Sequence, residues 1–269
     1  MIRILRVFIL LTGLLFFGTV NVSAQQKPLK IVDYNVLTGF QKNPAQAAVF
    51  VAWVKTIQPD IVAMEELSTF TQDSLERMAN RYGHPYAVLL AKEKAAPIGI
   101  TSKYPIVNVQ KVTDNMHHGY IYAQVKDYHL LVTHLSPFSY EKCKQEISTI
   151  IVKANALPQK DKILIMGDLN SFAATDSVAY KEKGYKRRYG VIQLLLEAGY
   201  TDAYHAKHPA TAFSYPTKKY TGGKKQFCRI DYIFLNKAAR KKCLDIQIVK
   251  DAVTDSLSDH YPLLMDMKP

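Results

Sequence analysis

Short apolar runs, each broken by polar or turn-forming residues, recur along this chain and define its predicted elements. Leu29 to Val36 (LKIVDYNV) reads as a strand. Asn43 and Pro44 then supply the cap and first turn of a helix with Phe50, Trp53, Val54 and Ile57 on one face. Asp60 to Leu67 (DIVAMEEL) predicts a second buried strand and Thr71 to Arg81 a second helix. Short strands follow at YAVLL, IGITS, IVNVQKV, GYIYAQV and YHLLVTHL, the last two separated only by Lys126 and Asp127, which is hairpin spacing. A third helix spans Tyr140 to Ala156, with Ile147, Ile150, Ile151 and Ala154 on its apolar face.

The next run, ILIMGDLNS (Ile163 to Ser171), opens with four large apolar residues, as in a strand buried on both faces, and stops at Gly167. Asp168 and Asn170 follow two apart, so an extended chain would send both side chains to one side of the strand end. An Asx turn is the competing reading of the same residues. A helix near Val191 to Ala198 and strands at Arg229 to Leu235, Leu244 to Val249 and Pro262 to Met267 complete the pattern; residues 175–190 and 215–226 read as surface loops. Helices alternating with many short strands predict an α/β architecture of two stacked sheets covered by helices.

Length and composition fit one domain. The chain has 269 residues, 48% of them hydrophobic, with no repeat and no linker-like tract. Arg3 and Arg6, an apolar run from Val7 to Val20, and small residues at Val22 and Ala24 predict a signal peptide over residues 1–24, leaving a domain over 25–269. The run is shorter than the ~20 residues a membrane span needs, so no stable span is expected after processing, and the product is expected to be exported, periplasmic or secreted. Removing the leader lowers the formal charge from +12 to +10. Such a basic protein suits anionic partners, nucleic acid or phospholipid headgroups among them. Two basic loops carry aromatics, KEKGYKRRYG (Lys181 to Gly190, with Lys183, Arg187 and Arg188) and TKKYTGGKKQF (Thr217 to Phe227). Stacked bases and phosphate contacts are one meaning of that composition and solvation the other. Cys143, Cys228 and Cys243 are an odd set; a hairpin of residues 229–236 and 243–249 would put Cys228 and Cys243 at opposite ends, so no bridge is expected.

Polar residues gather at the strand ends: Asn35, Glu66, His134, Asp168 and Asn170, with Asp231 inside CRIDYIF and Asp259 and His260 before the last strand. Each alone reads as a turn residue or a satisfied structural group. Together they form a set of carboxylates, amides and imidazoles whose hard oxygen donors suit Mg²⁺ or Mn²⁺ and not Zn²⁺. Imidazole beside carboxylate can be held charged, facing phosphate or moving a proton.

The ordered series YNV, DIVAMEEL, ITSKYPI, VTHLS, MGDLNS, RIDYIF and LSDHYP resembles the endonuclease/exonuclease/phosphatase superfamily over about Leu29 to Met267. The resemblance implies a four-layer α/β sandwich, two packed mixed sheets flanked by helices, with a deoxyribonuclease-like metal-dependent phosphoesterase site at one end. It implies Glu66 as the principal metal carboxylate, assisted by Asn35 and Asp259, with Glu65 standing where relatives often carry Gln. It implies that His260, oriented by Asp231, faces the phosphate. Asp168 would position or deprotonate the attacking water, Asn170 would hold phosphoryl oxygens, and His134 would stabilise the transition state or leaving group. His134 stands where abasic-site endonucleases carry a Tyr and Asn pattern, which points to the deoxyribonuclease-like, sphingomyelinase-like and phosphatase branches. The expected activity is therefore exported, Mg²⁺-dependent phosphoesterase chemistry by a monomer, leaning to phosphodiester substrates. Sphingomyelinase-like, phosphoinositide or sugar phosphatase activity is the alternative within the enzymes, and a non-catalytic anion-binding protein on the same fold is the alternative outside them.

Overall fold

A computed structural model describes residues 27–177, 189–223 and 227–268. The predicted leader and most of the loop over 175–190, including Lys181, Lys183, Arg187 and Arg188, lie outside these residues. Twelve strands form two six-stranded sheets among the described residues. In the first, β1 (Leu29–Asn35), β2 (Ile61–Glu65), β3 (Tyr86–Leu90), β4 (Ile98–Ser102), β11 (Cys243–Ile248) and β12 (Leu263–Met267) run in the order β11-β12-β1-β2-β4-β3. In the second, β5 (Ile106–Val112), β6 (Tyr120–Val125), β7 (Tyr128–His134), β8 (Lys162–Asp168), β9 (Thr201–Asp202) and β10 (Asp231–Leu235) run in the order β5-β6-β7-β8-β10-β9. The sheets share one plan: β1 and β2 are parallel, as are β7 and β8, and every other pairing is antiparallel.

Alternation along the strands explains the layers. Ile31, Ala63, Ile100, Leu130, Val132, Leu164, Met166, Ile233 and Met265 point inward and form the core between the sheets. Their neighbours Val32, Val62 and Met64 point outward onto the helices Pro44–Ile57 and Gln72–Asn80, through Phe50, Trp53, Val54, Leu75 and Met78. Ile163 and Ile165 pack outward on the helices Tyr140–Asn155 and Gly190–Glu197, through Ile147, Ile150, Val191 and Leu195. The four-layer α/β sandwich is therefore as expected, and the run Ile163 to Met166 is buried on both faces because one half of it meets the second sheet and the other half meets helices. No helix among the described residues is long and apolar enough to cross a membrane.

Two local expectations change. Residues 229–236 and 243–249 do not pair, because β10 and β11 belong to different sheets. Asn236 caps a helical turn, Lys237–Arg240, by accepting from the Ala239 amide at 2.9 Å, and that turn carries the chain from one sheet to the other. All three cysteines are free and buried, in line with the absence of a bridge expected from the sequence. The loop over 215–226 contains a 3₁₀ turn, Lys218–Tyr220, tied to the proposed site by the Thr217 amide, which donates to the Asp259 carbonyl at 3.0 Å.

Candidate active site

The inward register that builds the apolar core also builds the site. Continuing by twos, Ile31 leads to Asp33 and Asn35, Ala63 to Glu65, Leu130 and Val132 to His134, Leu164 and Met166 to Asp168, and Ile233 back to Asp231. Each of these inward faces changes from apolar to polar at the same end of the sandwich. Cross-strand register then sets Asn35 beside Glu65, His134 beside Asp168, and Asp168 opposite Asp231. Two facing carboxylates repel. His260, delivered by the turn before β12, answers that charge: its Nδ1 lies 3.0 and 3.1 Å from the two Asp231 oxygens, and its Nε2 lies 3.8 Å from Asp168 Oδ2.

Asp168 is the hub. Its Oδ1 accepts from the Asn170 amide at 2.9 Å and its Oδ2 from Asn35 Nδ2 at 3.1 Å, with His134 Nε2 3.6 Å from the same Oδ2. The chain does not stay extended past Asp168: Asn170 adopts φ 45° and closes an Asx turn, so the turn reading and the site reading both hold. Asn170 Nδ2 donates to the Leu135 carbonyl at 3.0 Å, and Asn170 and Asp168 both line the cleft. Gly167 permits this crowding. At φ 133°, a Cβ there would stand 1.8 Å from the Thr133 carbonyl oxygen.

On the facing sheet, Glu66 leaves β2 with φ 60°, which turns its side chain into the cleft while Glu65 stays fully buried between the sheets. A left-handed turn over Leu37–Lys42 fixes Glu66 in place: the Thr38 amide donates to Oε2 at 2.9 Å and the Gly39 amide to the Glu66 carbonyl at 2.5 Å. Asn35, expected to assist at the metal, stands between two carboxylates. Its Oδ1 accepts from the Leu37 amide at 3.1 Å, so its Nδ2 faces inward and bridges Glu66 Oε1 and Asp168 Oδ2, at 3.1 Å each. As oriented, Asn35 aligns two carboxylates across the sheet interface and offers no oxygen to the site. Ser258 Oγ donates to the Asn35 carbonyl at 2.7 Å, fastening the Asp259–His260 segment to the end of β1.

Electrostatics divide the two histidines. Burial works against a charged His260, but Asp231, then Asp168 and Asp259, outweigh it and raise its pKa well above the usual imidazole value. His134 has no such partner at Nδ1, which is buried without a hydrogen bond, and burial lowers its pKa to about 4. Burial first, then Asp231 and Glu66, push Asp168 up to about 7, against the opposing pull of His260. Asp259 is also raised, by burial and by Glu66. Deeper still, burial and mutual repulsion push Asp33 and Glu65 well above the carboxylate range.

The residues present fit a divalent cation. Glu66 and Asp259 offer hard oxygens to the cleft, and the carboxylates raise one another's pKa, an excess of negative charge that a cation would relieve. Asp168, Asp231 and His260 also cluster tightly enough to hold an ion, although the Asp231–His260 hydrogen bond already occupies Nδ1. The cleft has a volume of about 890 Å³. Phe172, Tyr215, Cys228 and Ile230 line one side, and Lys94, His117, His118 and Phe138 are also among its lining residues. The sequence reading passed over this histidine pair, whose only signal was the doublet in DNMHHGY. It also passed over Glu146, a buried residue of the helix Tyr140–Asn155 whose carboxylate accepts from the His117 amide at 2.5 Å and the Ser136 amide at 2.8 Å.

A hard-oxygen cation site set beside one neutral and one charged imidazole, at the open end of a two-sheet sandwich, defines a hydrolase of phosphate esters. The chain belongs to the Endonuclease/Exonuclease/phosphatase family, whose sequence profile matches residues 18–260. No curated protein matches it. Among solved structures it is similar to an AP endonuclease from Archaeoglobus fulgidus, with TM-score 0.74, 18% identity, and 90% of this chain and 100% of that one covered. It is similar to a 3′ phosphatase from Neisseria bound to a product DNA hairpin, with TM-score 0.71, 21% identity, and 89% and 99% covered. A 3′-5′ exonuclease from Neisseria meningitidis aligns with TM-score 0.70, 20% identity, and 89% and 100% covered.

Proposed function

We propose that this chain is an exported, monomeric, Mg²⁺-dependent phosphodiesterase of nuclease type. The observation that carries the reading is the hydrogen-bonded line Glu66–Asn35–Asp168, flanked by His134 and His260, which joins a cation site to proton-handling groups across the sheet interface. Bound Mg²⁺ or Mn²⁺ would supply Lewis-acid polarisation of the phosphoryl oxygens, held by Glu66 and Asp259 with Asn35 aligning Glu66. Asp168 orients the attacking water and takes its proton. His260, kept charged by Asp231, faces the phosphoryl oxygens where negative charge grows, and Asn170 lies beside them. Neutral His134 donates a hydrogen bond from Nε2 to the departing oxygen, which takes its proton from solvent water.

Nucleic acid is favoured as substrate by the net charge of +12, or +10 after removal of the leader, and by the two Tyr-bearing basic loops. The similar 3′ phosphatase bound to a DNA hairpin supports the same choice. Export rests on residues 1–24. The test is the purified mature protein with Mg²⁺, assayed against plasmid DNA, RNA, sphingomyelin, phosphoinositides and sugar phosphates. Chelator-sensitive cleavage of DNA or RNA is expected. Hydrolysis of sphingomyelin or of small phosphomonoesters, with nucleic acid untouched, would replace the nuclease reading by a lipid or small-molecule one, and no hydrolysis of any of them would favour an anion-binding protein.

A further inference from the structure

We infer that Phe138, carried on a row of rings that ends at His134, is a base-stacking shelf for a nucleotide adjoining the scissile phosphate, so that base-bearing phosphodiesters are preferred over esters without a planar group. This rests on the nuclease-type reading above. Phe138 is 81% exposed, and its ring contact faces back toward the site. Its ring meets His117 at a centroid spacing of 5.1 Å and 77°, His117 meets His118 at 4.3 Å and 86°, and His118 lies flat on His134 at 4.2 Å and 16°.

The backbone behind the rings is fixed at both ends. Glu146 holds the His117 and Ser136 amides with its two carboxylate oxygens, and the Phe138 amide donates to Ser136 Oγ at 3.4 Å. Ser139 caps the helix that carries Glu146, its Oγ accepting from the Lys142 amide at 3.3 Å. His118 Nδ1 accepts from the Ala96 amide at 2.8 Å, which assigns the proton to Nε2, and burial lowers the pKa of this ring to about 2. A ring exposed but held in place loses little freedom when a ligand covers it. It lines the cleft beside Pro137, His117 and Asn170, with Lys94 also on the cleft lining to meet a phosphate. Every nucleobase has a flat face, so such a shelf accepts bases without reading sequence.

The test compares the wild type with Phe138→Ala and Phe138→Trp on two single strands of equal length and charge, an oligothymidylate and an oligomer of baseless deoxyribose spacers. Phe138→Ala is expected to raise KM for the oligothymidylate roughly 5- to 100-fold with kcat little changed, and to shift KM for the spacer less than about twofold. Phe138→Trp is expected to restore the wild-type value. Equal penalties on the two polymers, or none on either while both are cleaved, would overturn the shelf and leave the nuclease reading standing. A wild type that cleaves neither polymer but still cuts plasmid DNA or RNA would overturn the shelf alone, and one that cuts none of the four would overturn both. Phe138→Ala that loses binding to phosphatidylglycerol vesicles but keeps its oligothymidylate KM would replace the shelf by a lipid contact.

Discussion

His260 Nδ1 faces both carboxylate oxygens of Asp231, at 3.0 and 3.1 Å, with both side chains buried and His260 lining the cleft. Burial alone would discharge the imidazole, and the Asp231 charge reverses that outcome. A raised folded pKa means that the charged form persists to higher pH than in a free imidazole, and that whatever His260⁺ contributes is lost as pH rises through that value. Asp231→Asn should therefore move the high-pH limb of the kcat profile to lower pH. An unmoved limb would show that His260⁺ does not govern turnover.

Asp168 makes the opposite trade. Its pKa of about 7 in the fold, against about 4 in an unfolded chain, means that the native state holds an extra proton between those values, so its ionisation weakens the metal-free protein as pH rises from 4 toward 7. Asp168→Asn should lower kcat by about 10²- to 10⁴-fold. Measured with chelator at pH 8, the same variant should melt at or above the wild-type temperature, with the difference closing toward pH 4. A variant that turns over normally would remove Asp168 from the chemistry.

Cation binding can be read without turnover. A ligand at a hundredfold excess over its Kd stabilises the fold by about 2.7 kcal/mol, several degrees in Tm for a domain of this size. Mg²⁺ or Mn²⁺ should raise the Tm of the wild type, and Glu66→Ala should abolish the rise. A full shift in Glu66→Ala, or one given by Zn²⁺ alone, would place the ion elsewhere.

Glu146→Gln replaces one of two acceptor oxygens by a donor, so either the His117 or the Ser136 amide loses its partner and meets an NH₂ group. The expected cost is about 1–3 kcal/mol in denaturant unfolding, with faster amide exchange at His117 or Ser136. Unchanged exchange at both would mean that the loops hold their own shape.

Lys42 sits in the left-handed region at φ 54° at the exposed end of the turn that secures Glu66. Glycine is the residue that adopts this conformation without a Cβ clash, so Lys42→Gly should stabilise the protein by about 1 kcal/mol in denaturant titration. A loss of stability would show that the lysine side chain contributes more than its backbone costs.

Much of this was legible in the sequence. The strands and the principal helices follow from periodicity: YAVLL and IVNVQKV coincide with β3 and β5, and the two-residue turn at Lys126 and Asp127 joins β6 to β7 as expected. Glu66, His134, Asp168, Asn170, Asp259 and His260 meet in one cleft, with Asp231 behind His260. What stayed hidden depended on backbone turns or on partners far along the chain. Nothing in LTGFQK announces six consecutive left-handed residues from Leu37 to Lys42, since only Gly39 favours them. The orientation of the Asn35 amide is decided by the Leu37 amide within that turn. Glu146 reads as one more polar residue on an amphipathic helix, and only its position opposite two loops turns it inward. The burial of Asp33 and Glu65 depends on the second sheet, which neither strand announces.

The shared strand order of the two sheets divides labour between them. The first sheet and its connections bring Glu66, Asn35 and Asp259, to which the proposed function gives the cation, and the second brings His134, Asp168, Asn170 and Asp231, to which it gives water and protons. The Asn35–Asp168 hydrogen bond crosses the seam between these half-sites. Under the proposed function, alignment of the two half-sites depends on how Ile31, Ala63 and Ile100 seat against Leu130, Leu164 and Met166 in the core. A methyl group removed from that seam would act on the reaction as a change of focus, shifting one half-site against the other while leaving every functional group in place.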